Sequence, residues 1–158
     1  MIAVFTLQFR GRGTQISPER RRATTTATSQ LHRTRLTATG VEATVEMLEG
    51  VETATLEAEI ELRGDGSFVE SGRICYGAAG SVTFTTAGHG VRGPSAIPGR
   101  VVGAVIWQVV GGDGRFAGAT GYISSNFSVD ENGDVVDHHV AQLIIPDESP
   151  RAGRATTL

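Results

Sequence analysis

From Ala54 to Leu62 the chain alternates with a period of two. Leu56, Ala58, Ile60 and Leu62 are apolar, and Thr55, Glu57, Glu59 and Glu61 between them are polar. A strand points successive side chains to opposite faces, so this segment has one dry face and one wet face. Wound as a helix, it would scatter the glutamates around the whole circumference. Gly64-Asp65-Gly66 follows, and then a partner run from Ser67 to Tyr76. Asp-Gly between two such runs signals a tight hairpin, and a type I′ turn is expected, with positive φ at both central residues.

The same punctuation recurs along the chain. Ile2 to Phe9 is an apolar run, and Ser81 to Thr86 is a short strand after the turn at Gly77–Gly80. Residues 87–100 hold Pro94 and Pro98 and read as a loop. Val101 to Val110 is apolar on both faces and is expected to be covered on both sides. Gly121 to Val129 and Val135 to Ile145 flank Asn132-Gly133, a second hairpin signal. There are 21 glycines in 158 residues, as many tight turns require. The sum is seven or eight antiparallel strands, no helix, and turns spaced about ten residues apart. This predicts an all-β fold: a small antiparallel β-barrel of about eight strands, which leaves no free edge, with a β-sandwich as the alternative.

Charge divides the chain. Residues 1–40 carry seven arginines and one acid, Glu19; residues 41–158 carry seven arginines and 16 acids. Residues 1–40 therefore read as a basic, Arg- and Thr-rich extension with room for a first strand. Residues 10–30 are expected to be a loop, because Ile16 is their only large apolar residue. The barrel is expected over 41–146 and a polar tail over 147–158. The front has the acid-poor look of a transit peptide, but a loosely attached leader explains it as well. An acidic body repels a phosphate backbone, so no nucleic-acid partner is expected. No apolar run reaches 18 residues, so no membrane span is expected. Met1 to Phe9 lacks the basic start and cleavage site of a signal peptide. Cys75 is the sole cysteine, so no intrachain disulfide can form, and a cytoplasmic protein is the simplest expectation.

Catalytic motifs are sparse. His138 and His139 are neighbours on a strand and point to opposite faces, so they cannot share one ion, and no metal site is expected. Asp130 to Asp134 looks like a calcium loop but lacks the glycine position and the distant glutamate, and a hairpin turn accounts for it. No nucleophile elbow, phosphate loop or dinucleotide fingerprint is present, and no cofactor is expected.

The stretch Trp107-Gln-Val-Val-Gly-Gly-Asp-Gly-Arg115-Phe116-Ala-Gly118-Ala-Thr120-Gly121 resembles the GGxGRFxGATG segment of the allene oxide cyclase-like and dirigent-like barrels. It also resembles the small bacterial barrel cyclases that close spirotetronate and spirotetramate rings in polyketide pathways. The match is sharp over about 15 residues, extends over roughly 54–146 and is absent from 1–40. Its glycines suit a tight crossing between strands, and Phe116 suits a plug at the barrel end. This is a signature of fold rather than of catalysis. The resemblance also implies an oligomer, and a homodimer is expected.

The candidate site follows from strand parity. If Phe68, Glu70, Gly72, Ile74 and Tyr76 face the lumen, Glu70 is desolvated and its affinity for a proton rises. The opposite face, Val69, Arg73 and Cys75, is half apolar, and both parities stay open. His139 is the second candidate acid or base. Tyr76, Trp107, Ile123, Ser125 and Phe127 are the candidate substrate-binding residues, with Tyr122 and Asn126 outside. Gly72, Gly103, Ala104, Ser125 and Ala141 are small and favour an open lumen. Three functions compete. One is a cofactor-free cyclase or isomerase that folds a small, largely apolar, polyketide- or oxylipin-like chain. The others are a ligand-binding barrel without turnover and a filled barrel acting as an interaction or dimer module.

Overall fold

The computed structural model describes residues 1–50 and 52–147. The strands are β1 (Ile2–Gln15), β2 (Arg20–Thr28), β3 (Gln30–Thr37), β4 (Gly40–Met47), β5 (Thr53–Leu62), β6 (Ser67–Tyr76), β7 (Ser81–Thr86), β8 (Gly90–Pro94), β9 (Arg100–Gly112), β10 (Thr120–Asp130) and β11 (Asp134–Ile144). Pairing runs β1–β2–β5–β6–β7–β9–β10–β11 and returns to β1, so the sheet closes on itself. β8 pairs with the start of β6 and the start of β9 and prolongs the position of β7. The result is a closed, antiparallel, eight-strand β-barrel. β3 and β4 pair only with each other, as a hairpin outside the barrel. No helix among the described residues is long and apolar enough to cross a membrane.

The barrel begins at Ile2, which corrects the expectation of a loop over 10–30 and of a barrel starting at 41. β2 is a full barrel strand between β1 and β5. Its outward arginines meet the outward glutamates of β5. Arg20 and Arg22 both reach Glu59, at 3.1 and 3.3 Å. Its inward residues Ala23, Thr25 and Ala27 are small, and Thr25 and Ala27 are fully buried. A strand that crosses a narrow lumen needs small side chains there, not large apolar ones. The expected polar tail lies, beyond Asp147, outside the described residues.

Two further details differ from expectation. Asp65 and Asn132 keep negative φ, and only Gly66 and Gly133 turn positive, each at φ +84°. Both hairpins are therefore ordinary turns closed by one left-handed glycine, not type I′ turns. A neighbouring carboxylate holds each in shape: Asp65 accepts from the Ser67 N–H, and Asp130 accepts from the Asn132 and Asp134 N–H groups. The outer face of β9 is bare in the single chain, with Val102, Ile106 and Val110 exposed. The expected cover on both faces of this strand is thus present on the inner face alone.

The core fills one end of the barrel and the middle. Phe84 stacks on Trp107 at 4.1 Å between ring centres, and Phe9 stacks on His139 at 4.4 Å. At the end, Phe116 lies against Tyr76 at 5.1 Å, and Phe5 meets Tyr76 edge-on at 5.4 Å. Two 3₁₀ turns, Gly77–Ala79 and Gly114–Phe116, cap this end. Asp113 fastens them. Its carboxylate accepts from the Ser81 N–H and hydroxyl, at 2.8 and 2.9 Å, and from Arg73 at 2.6 Å. The Ser81 bonds, with Arg73 beside them, hold that carboxyl below its ordinary range.

Candidate functional site

The opposite end of the barrel, at the β1–β2, β5–β6, β8–β9 and β10–β11 connections, opens into a cavity of about 460 Å³. That is within the range of pockets that hold a small organic molecule. Leu56, Ile60, Leu62, Phe68, Val101 and Phe127 supply much of its apolar wall, and Glu70, Asp137, Ser125, Thr25 and Arg21 bring polar groups to it.

Parity puts each polar group there. On β6 the set Phe68, Glu70, Gly72, Ile74 and Tyr76 faces in, with Phe68 and Ile74 fully buried. Glu70 lines the cavity and is half-buried. Its Oε2 accepts the Trp107 indole N–H at 3.1 Å. Burial pushes the Glu70 carboxyl up to about 8; the Asp137 charge pushes the same way, and the Trp107 bond only partly opposes them. At neutral pH Glu70 therefore keeps its proton.

On β11 the inward set is Val135, Asp137, His139, Ala141 and Leu143, all buried, while His138 is exposed. Asp137 accepts the Ser125 hydroxyl at 2.8 Å, and His139 Nε2 lies 2.9 Å from its other oxygen. The His139 Nδ1 atom is buried and has no hydrogen-bond partner among the described residues. The ring lies between Phe9 and the edge of Trp107. His139 thus lies beneath the cavity floor and reaches the cavity only through Asp137.

The structure brings Glu70, Ser125 and Phe127 to the cavity wall. It does not bring Trp107, Ile123, Tyr76 or His139 there. Trp107 and Ile123 are fully buried one layer deeper. Tyr76 lies six residues from Glu70 on the same strand face, about 20 Å away at 3.3 Å per residue, and packs at the closed end. Burial there pushes its phenol up. The parity of β10 is as expected, with Ile123 buried and Tyr122 and Asn126 exposed, but Phe127 and Val129, expected to be buried, are half-buried because they border the cavity. The small residues do not all make space. The Phe84 ring occupies the room beside Gly72, the Phe127 ring that beside Gly103, Ala104 faces outward, and Ala141 is part of the packed core.

Three polar groups at the cavity escape a reading of the sequence. Asp137 is hidden in an Asp-His-His run, although it shares the parity of His139. Arg21 and Thr25 lie in the segment expected to be a loop. Arg21 is the middle of three consecutive arginines, and alternation turns it inward between two outward neighbours.

No family model matches the sequence, and no curated protein matches it. Among solved structures, the chain is similar to a pterocarpan synthase dirigent protein, with a TM-score of 0.54 and 13% identity, over 93% of this chain and 89% of that one. At that identity the likeness is one of fold alone: the chain is a closed eight-strand β-barrel with one end open to a cavity.

Proposed function

We propose that the protein is a cofactor-independent cyclase or isomerase, of the kind found among allene oxide cyclase-like and small bacterial polyketide barrels, acting on a small, largely apolar chain held in the lumen. One observation carries this reading: a carboxyl, Glu70, whose Oε2 accepts the Trp107 indole N–H, on the wall of an otherwise mostly apolar, open-ended cavity. A carboxyl that titrates near neutral pH can give a proton to a substrate oxygen and take one back, so the product is an isomer and no redox partner is required. The second carboxylate, Asp137, held by Ser125 and positioned by His139, supports the charge that develops opposite. Phe127 and Phe68 shape the fold of the bound chain, and Trp107 holds the Glu70 carboxyl from below through its indole N–H. The dirigent neighbour, named for a synthase, is consistent with chemistry on folded organic substrates.

The mostly apolar lining equally suits a barrel that binds a ligand without converting it, and the two readings separate on Glu70. Polyketide- or oxylipin-like substrates are incubated with the protein and products of unchanged mass are resolved by chromatography. A ring-closed isomer is expected from the wild type, with Glu70→Gln binding the chain but converting it at least about a hundredfold more slowly. Equal conversion by both proteins would remove Glu70 from the chemistry. Binding without conversion by either would leave the binding barrel. We also infer self-association, as a dimer, through the apolar outer face of β1, β11, β10 and β9, where Ile2, Val4, Val140, Ile144, Tyr122 and Ile106 are exposed.

A further inference from the structure

Arg20, Arg21 and Arg22 point out, in and out on β2. The two outward guanidiniums share Glu59. Arg21 lines the cavity, and its buried Nη1 has no hydrogen-bond partner among the described residues. A cation with a buried, unsatisfied N–H is costly, and nearby protein atoms do not offset it.

The four carboxylates that line the cavity, Glu70, Asp137, Asp130 and Glu131, do not supply the missing partner among the described residues. Arg21 registers with Ile60, and Ile60 with Glu70, so one apolar strand position separates the cation from that carboxyl. Asp137 is taken by Ser125 and His139. Ala23, the next inward residue of β2, is small and also lines the cavity, which leaves room beside the guanidinium.

Building on the lumen-binding reading, we propose that Arg21 is the anchor for a carboxylate on the bound molecule, so that the substrate class is a largely apolar carboxylic acid. The guanidinium fork pairs with the planar carboxylate near the mouth. The apolar carbons then lie over Ile60 and against Phe127 and Phe68, and an oxygen further along the chain meets Glu70. A single anchored end fixes how deep and which way round the chain enters. A purely apolar lumen would not fix either.

The test uses two probes of one chain length, decanoate and decanol, titrated into the full chain at pH 7. Quenching of Trp107, the protein's single tryptophan, and calorimetry read the binding. The wild type is expected to bind decanoate at least about tenfold more tightly than decanol, as a charge-assisted pair implies. Arg21→Met should remove that preference by weakening decanoate alone, and Arg21→Lys should restore part of it. Arg92→Gln, at the exposed rim of the same cavity, should leave it in place. Decanol binding with no preference for decanoate, or a preference that survives Arg21→Met, would overturn the anchor and leave the lumen-binding reading standing. Failure of both probes to bind would overturn both.

Discussion

The two ends of the barrel share the same strands and the same in–out alternation, yet one is solid and the other hollow. At the solid end Phe5, Tyr76 and Phe116 meet under two 3₁₀ turns, and Asp113 ties the crossing to Ser81 and Arg73. At the hollow end, hairpin and loop connections form the rim, and the inward positions include Gly13, Ala23 and Thr25. Neither closure nor strand number decides whether a barrel holds a ligand. Side-chain volume decides it, layer by layer along the axis. The layers of this barrel differ accordingly, with aromatic packing below, a titratable floor between, and a mostly apolar throat that carries Arg21, with Arg92 at its rim, above.

Deleting a ring at each end breaks this contrast most directly. Phe84 is fully buried against Trp107, so Phe84→Ala leaves a cavity in a packed layer and should cost about 3–5 kcal/mol. Phe127 borders space already empty and is only half-buried, so Phe127→Ala should cost about 1–2 kcal/mol while changing which ligands bind. Urea denaturation of both variants measures the difference. Equal losses would mean that the throat is as tightly packed as the core.

The floor between the ends should show itself in the pH dependence of stability. Glu70 rises from an ordinary 4.5 to about 8 in the folded protein. Between those values the native state holds a proton that the unfolded state has released, so stability falls as pH rises through that window and levels off above it. The loss is on the order of 2–3 kcal/mol once water reaching the carboxyl through the mouth is discounted. Glu70→Gln should lose the decline. Trp107 emission should change with a midpoint near pH 8 in the wild type and stay flat in the variant. A wild-type curve that parallels the variant's would place Glu70 in contact with bulk water.

Glycine substitutions sharpen the contrast at smaller amplitude. A Cβ on Gly112, in the solid-end crossing, would run into the Phe116 carbonyl, and the backbone there cannot yield cheaply. Gly112→Ala should cost about 1–3 kcal/mol. A Cβ on Gly13, at the mouth, would meet its nearest neighbour, a methyl of Val135, at an ordinary 3.6 Å. Gly13→Ala should stay within about 0.5 kcal/mol of wild type and change only ligand affinity. Thermal melts of the two variants report the outcome, and a comparable drop for Gly13→Ala would show that the mouth is under strain.

The same contrast sets what the sequence discloses. Hairpins 54–76 and 121–145 are legible because wet glutamates or serines alternate with large apolar residues. The closed end is legible through the Gly112–Gly121 crossing. β2 is not legible, because its inward face is Ala23, Thr25 and Ala27, too small to register as a dry face. Its clue is charge: Arg20 and Arg22 match the outward acids of β5 across the pairing. Glu70 is legible as the one carboxylate in an apolar series. Arg21 is not, because flanking arginines mask its parity. For Tyr76 the sequence leaves the parity of its strand open and misplaces the layer, since alternation groups residues by face and not by depth.

The smallest effect on the folded chain should come from the outer face, and it separates the ends again. Ile2 registers with Ile144, Val4 with Gln142 and then Tyr122, and Val140 with Ser124 and then Ile106. All six apolar members of this patch are exposed, and they lie on the half of the barrel near the solid end. Towards the mouth, the outward positions on the same strands include Arg10, His138 and Asn126, which are exposed and polar. Association through the patch would therefore bury apolar surface and leave the mouth open to ligand. Tyr122→Glu with Ile144→Glu puts charge into the patch and touches no core residue. Circular dichroism and ligand binding should be unchanged, with stability of the isolated chain within about 0.5 kcal/mol. Sedimentation should fall from a concentration-dependent dimer to a monomer. A wild type that stays monomeric at high concentration would sink the proposed dimer, and a double variant that still dimerises would move the interface to another surface, such as the β3–β4 hairpin with its exposed Leu36 and Val41.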